Sequence, residues 1–206
     1  MKEEVIAGSK SSLSAFAAEV AVIASMMFVA LLLAAGMLAL EREENAFGRL
    51  VRGLISRTGL VTEKVGLAAL AAFVLSAVML GILGALIGLD FARAPLWLVA
   101  LALGAVAFGA MGVAIGGVTR EVRSASLAAF VISLPVAALA LVPSGAVSEG
   151  LYDVIRVVSA AFPFSPCLKA LDAAVSGGTL LTPLLHLAAL TLAFGAIARI
   201  SLRRFA

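Results

Sequence analysis

Few residues in this chain have the types and spacing that chemistry needs, and they sit among long apolar runs. His186 and Cys167 are its single histidine and single cysteine. That excludes a metal site built on those ligands within one chain. His186 lies inside the last apolar stretch, where ionisable groups are often functional, so a proton relay or a membrane-protease base is the sharp reading. Either role needs titratable neighbours or a serine placed by a helix end, and the sequence nominates neither. A neutral imidazole bonded to an adjacent helix fits the residues better. Neither GxSxG nor GxxxxGK[ST] occurs, so there is no nucleophile elbow and no phosphate-binding loop. We expect no catalysis by this chain and no cofactor in it. Energy for any driven process must come from a partner or from an ion gradient. Glu19, at the far end of the first apolar run, allows a substrate or ion contact, but the expected reading is a solvated, snorkelling carboxylate.

Nine of the 27 charged residues lie in residues 41–64, between two long apolar runs. Glu41, Arg42, Glu43 and Glu44 close the first apolar run. After them Phe47, Leu50, Val51, Leu54 and Ile55 recur at i, i+3, i+4, i+7 and i+8, one apolar stripe of a helix. Arg49 and Arg52 fall on the opposite face. A short basic amphipathic helix between two spans lies flat in the headgroup layer and can present a handle to a cytoplasmic partner.

The elements that hold these residues are membrane helices. Of 206 residues 63% are hydrophobic, and the mean hydropathy is +1.18; soluble domains are nearer half apolar. A hydrocarbon core about 30 Å thick takes roughly 20 residues of helix. Five uncharged runs meet that length, giving expected spans at about 17–40, 65–89, 95–118, 125–143 and 179–200. The runs are continuous, whereas barrel strands would alternate. The fold class is therefore an all-α polytopic bundle in a single transmembrane domain. The net charge of +3 gives no reason to expect nucleic acid as a partner. The first residues, MKEEVIAGSKSS, lack the basic start and cleavage site of a signal peptide.

Basic residues set the expected orientation. With the N-terminus outside, the inner segments hold Arg42, Arg49, Arg52, Arg57, Lys64, Arg120, Arg123, Arg199, Arg203 and Arg204. The outer ones hold Lys2, Lys10, Arg93, Arg156 and Lys169. The asymmetry predicts N-out, C-in, in the cell membrane. Between spans four and five, Leu151, Val154, Ile155, Val158 and Phe162 repeat a helical stripe, as do Leu168, Leu171 and Val175. Pro163 and Pro166 separate them, which predicts two short helices on the outer face. Gly112 and Gly116 in span three are spaced as small-xxx-small, a pattern that serves a dimer seam or packing within the subunit. Pro135 interrupts the hydrogen-bond ladder of span four and is a candidate hinge.

Taken in order, these pieces resemble the permease subunit of type-2 ATP-binding-cassette exporters. The resemblance covers roughly 20–206. It rests on a span ending Glu41-Arg42-Glu43, an amphipathic segment, and Lys64 opening the next span. A Gly-rich span then leads to the basic loop Thr119-Arg120-Glu121-Val122-Arg123. A span with a central Pro135, a paired outer element around Pro163 and Pro166, and a last span with a basic tail complete it. The resemblance implies a dimer and a cytoplasmic ATPase that holds ATP and Mg and engages the loop after the family's second span. By position, 45–56 would be the coupling helix and Glu41-Arg42-Glu43-Glu44 its lead-in. The family usually has six spans, one of them preceding the counterpart of 17–40. Its Gly-Thr after Glu-Arg-Glu is here Glu44-Asn45-Ala46. These departures imply a divergent short subunit, a split permease completed by a second chain, or a degenerate copy. Outside that family, the residues allow a secondary transporter or channel, or a non-transporting membrane scaffold.

Overall fold

An apolar run becomes a helix in lipid because only intra-segment hydrogen bonds can satisfy its backbone there. A computed structural model describes residues 13–43, 57–119, 121–143 and 145–203. Seven α-helices occur among them: α1 (Leu13–Glu43), α2 (Arg57–Ile87), α3 (Ala94–Val118), α4 (Val122–Ala140), α5 (Glu149–Ala160), α6 (Phe164–Ser176) and α7 (Leu181–Arg203). No strand is present among the described residues. Helices α1, α2, α3, α4 and α7 are each long and apolar enough to cross a membrane, as the sequence predicts.

The bundle is built around α3, which packs against α1, α2, α4, α6 and α7. In its span 72% of the most apolar window is buried inside the protein, against 11% for α7. Small residues explain this position. A Cβ on Gly112 would lie 2.7 Å from Ala34 Cβ and 3.0 Å from Leu31 Cα; one on Gly116 would lie 2.7 Å from the Ala35 carbonyl oxygen. Both glycines face α1 at backbone contact. Gly109 faces Val65 of α2, Gly104 faces Cys167 of α6, and Gly117 faces Ser201 of α7. The Gly112/Gly116 pair thus serves packing within the subunit.

Helix α2 starts eight residues earlier than the expected span, at Arg57, so Lys64 lies two turns inside it rather than at its opening. Leu60 and Val61 explain the extension: both are buried in a cluster with Leu38 of α1 and Leu202 of α7. Burying those side chains stabilises helix beyond the apolar run. Helix α4 is one element through Pro135 and ends at Ala140, short of the expected 143.

The expected pair of short helices is present, with its two members in different environments. Helix α5 leaves Leu151, Val154 and Val158 exposed, the pattern of a helix resting in the membrane interface. Helix α6 is inserted instead: Phe164, Cys167, Ala170, Leu171 and Ala174 are fully buried. The two meet at 87°. Pro163 stands at the N-cap position of α6 and stops α5. Pro166 does not break anything; it sits in the first turn of α6, where a missing N–H leaves no bond unmade. Helix α6 ends at Gly177, whose φ of +83° is the left-handed cap glycine favours.

Between the end of α4 and the start of α7, the bent pair is expected to add no crossing to the five spans. Cysteines replacing Asp153 and Asp172, in a Cys167→Ala background, are expected to react with an impermeant thiol reagent from one face, the face that also labels Asp90→Cys. Labelling of the two from opposite faces would make the pair a sixth span.

The charged end of the bundle as candidate functional site

Helix C-termini carry partial negative charge, so carboxylates there are unfavourable unless compensated. The C-terminal turns of α1 hold Glu41 and Glu43, and each has its compensation. Lys64 Nζ of the antiparallel neighbour α2 lies 2.5 Å from Glu41 Oε1 and 3.4 Å from Glu63 Oε1. Glu43 Oε2 accepts a hydrogen bond from the backbone N–H of Val122 at 3.2 Å. Val122 is the first residue of α4, and the residue before it, Glu121, makes no side-chain cap. Glu43 therefore supplies the cap from another helix, placing its charge at the positive end of the α4 dipole.

Lys64 and Glu41 are largely shielded, with side chains 11% and 17% exposed. The second Glu41 oxygen, Oε2, is buried without a hydrogen-bond partner among the described residues. Such a pair adds little net stability, since desolvation offsets much of the attraction, but removing one partner strands a charge. What the arrangement does is fix geometry. The two ends flanking residues 44–56 are tied together by Glu41–Lys64, and Glu43 ties the same end to α4.

Of the residues singled out in the sequence, Glu41 and Glu43 are brought into this clamp, and Arg42 lies between them in α1. Glu44, Phe47, Arg49, Leu50, Arg52 and Leu54 lie outside the described residues, as does the rest of the expected coupling helix. The pairing of Lys64 with Glu41 escaped sequence reasoning; its one signal was a Glu closing one span and a Lys near the start of the next. Glu19 is a correction: it is fully buried, not solvated, because it lies on the inner face of α1 with Ala15, Val22 and Met26. His186 is half-buried within α7. No cluster of three metal-ligating side chains occurs among the described residues.

At the opposite end Arg93 makes a second tie. Its Nη1 donates to the Val175 carbonyl of α6 at 3.4 Å, and its Nε lies 3.7 Å from Asp90 Oδ2. A guanidinium at the α6 C-terminus opposes that helix's negative end.

The sequence matches the family described as ABC-2 family transporter protein over residues 5–200. The chain belongs to that family. No curated protein matches it. This ABC-2 protein is accordingly a multi-pass membrane protein and a transport permease, from a family whose permeases are generally non-catalytic and work with an ABC ATPase.

Proposed function

We propose that this permease is the membrane subunit of an ATP-driven exporter, moved by a separate ATPase that docks on residues 45–56. ATP and Mg belong to that ATPase. The working unit contains a second permease chain, identical or not, and lies in the cell membrane with the N-terminus outside. The observation that carries the proposal is the clamp. A push on residues 44–56 reaches α1 and α2 through Glu41–Lys64, and reaches α4 through Glu43 and Val122.

The test reverses charge on the docking face. Arg49→Glu with Arg52→Glu is expected to abolish co-purification of the ATPase while membrane insertion is unchanged. Arg203→Glu with Arg204→Glu, the same charge change at another basic segment assigned to that face, is expected to leave it intact. Equal loss in both would reduce the effect to general surface electrostatics. Loss in neither would leave 45–56 as a helix resting on lipid. Orientation is tested by reporter fusions after Lys10, Arg57, Ala92, Arg120, Ser148 and Ala206, expected to alternate from outside to inside; a cytoplasmic signal at Lys10 overturns it.

One observation favours a second reading, in which an ion gradient drives transport: Glu19 is a carboxylate fully buried in α1, and such groups mark proton paths. Under that reading Glu19→Gln abolishes transport and the charge reversals at Arg49 and Arg52 do not.

A further inference from the structure

Helix α6 is half a span, and it runs antiparallel to α3. Its C-terminal end lies at Arg93, whose Nη1 donates to the Val175 carbonyl at 3.4 Å. Its first turn lies where Cys167 meets Gly104, ten residues into α3. At 1.5 Å per residue that is about 15 Å from the start of α3, half of a hydrocarbon core. One face of α6, with Phe164, Cys167, Ala170, Leu171 and Ala174, is fully buried in the bundle. The other carries Lys169, Asp172 and Ser176, at i, i+3 and i+7; Lys169 is exposed, the other two half-buried.

That outward face is not built for acyl chains. Every other α-helix among the described residues exposes large apolar side chains, such as Leu32 and Leu33 on α1 or Leu185 and Leu192 on α7, whereas α6 exposes none. A cation at this depth is costly in lipid, and such groups face a protein interior or a water-filled space. Snorkelling to the headgroups is opposed by the direction of the helix. Cα–Cβ bonds tilt toward a helix N-terminus, and in α6 that is the deep end, so Lys169 starts out away from the surface. Lys64, Arg93 and Arg156 each pair with a carboxylate, but Lys169 enters no ion pair among the described residues.

We propose that the Lys169–Asp172–Ser176 face of α6 lines a water-filled vestibule on the transport path, open at the Arg93 end, and that Lys169 is its contact for an anionic group of the cargo. This site rests on the permease's transport role. Its test needs no ATPase, so failure here is distinguishable from failure of docking at residues 45–56.

The full-length protein in a Cys167→Ala background is reconstituted in phosphatidylcholine vesicles with a nitroxide on Lys169→Cys. That label carries no charge and cannot snorkel, so it reads the surroundings of the site. It is expected to collide more with a water-soluble nickel(II) chelate than with oxygen. Labels on Leu185→Cys and Leu192→Cys of α7, 61% and 75% exposed in the parent, are expected to do the reverse. Oxygen-dominated collision at 169, as at the α7 positions, overturns the vestibule. The anion contact is read at Asp172→Cys, one turn from Lys169, with methanethiosulfonate reagents bearing a sulfonate or a trimethylammonium group. Lys169→Gln is expected to lower the ratio of sulfonate to ammonium reaction rates about three-fold, the effect of one unit charge at this range in water with salt. An unchanged ratio overturns the role of Lys169, and no reaction with either reagent overturns the vestibule as well. Should labelled Lys169→Cys not fold, the reagents on Asp172→Cys with Lys169 in place still decide whether the face is wet.

Discussion

Lys64→Met is expected to destabilise the permease by about 3 kcal/mol, the low end of the cost of breaking a buried ion pair. That corresponds to a fall of roughly 6–12 °C in the midpoint of thermal unfolding in mild detergent. The reason is the carboxylate left behind. Glu41 already has one oxygen buried without a hydrogen-bond partner among the described residues, and without Lys64 the other loses its ion-pair partner beside the negative end of its own helix. Glu41→Leu with Lys64→Met is expected to return most of the loss, since an apolar pair carries no desolvation cost. A double mutant as unstable as Lys64→Met would mean that Lys64 acts through something other than Glu41. The two residues lie on different helices, so the coupling read from the cycle measures the tie across the root of segment 44–56 and not local helix propensity.

Gly116→Ala is expected to cost about 2–3 kcal/mol, toward the upper range for overpacking. The added Cβ would stand 2.7 Å from the Ala35 carbonyl oxygen and 3.0 Å from its Cα. Both are backbone atoms of α1, and a helix backbone cannot yield as a side chain can. Gly195→Ala is the control with opposite sign. Nothing lies within 4 Å of a Cβ there, so alanine's better helix propensity is expected to stabilise α7 by about 0.5–1 kcal/mol. Thermal unfolding of the three proteins side by side checks both. If Gly116→Ala left subunit unfolding unchanged and instead split a dimer in detergent, the glycine stripe would be a seam between subunits, contrary to the packing seen.

Apolar run length made the five spans legible, because lipid leaves the backbone no other way to satisfy its hydrogen bonds. Their ends were less so. The start of α2 carries Arg57, Glu63 and Lys64, charges that put the expected span's start at 65, although Leu60, Val61, Lys64, Val65 and Ala68 share one helix face. That face became recognisable once Leu38 and Leu202 were seen packed on it. Glu19 was misread because a lone carboxylate near a span end usually reaches water; which way α1 turns is set by its neighbours, not by its own residues. The amphipathic repeats at 149–176 announced two helices. They did not distinguish the one left on the surface from the one inserted against α3, since that depends on the space Gly104 opens for Cys167. For the candidate site, the charges were visible and their pairing was not. Glu41 and Lys64, or Glu43 and Val122, meet only after antiparallel helices have docked.

The central claim is that residues 45–56 bind the ATPase and pass its motion to the clamp. A photo-crosslinking amino acid at Leu50, on the apolar face of the expected helix, tests the docking half of that claim directly. In membranes containing the ATPase and the full permease, the account predicts a covalent adduct with the ATPase that Arg49→Glu with Arg52→Glu removes. Adducts with lipid alone, whether or not the ATPase is present, would contradict it.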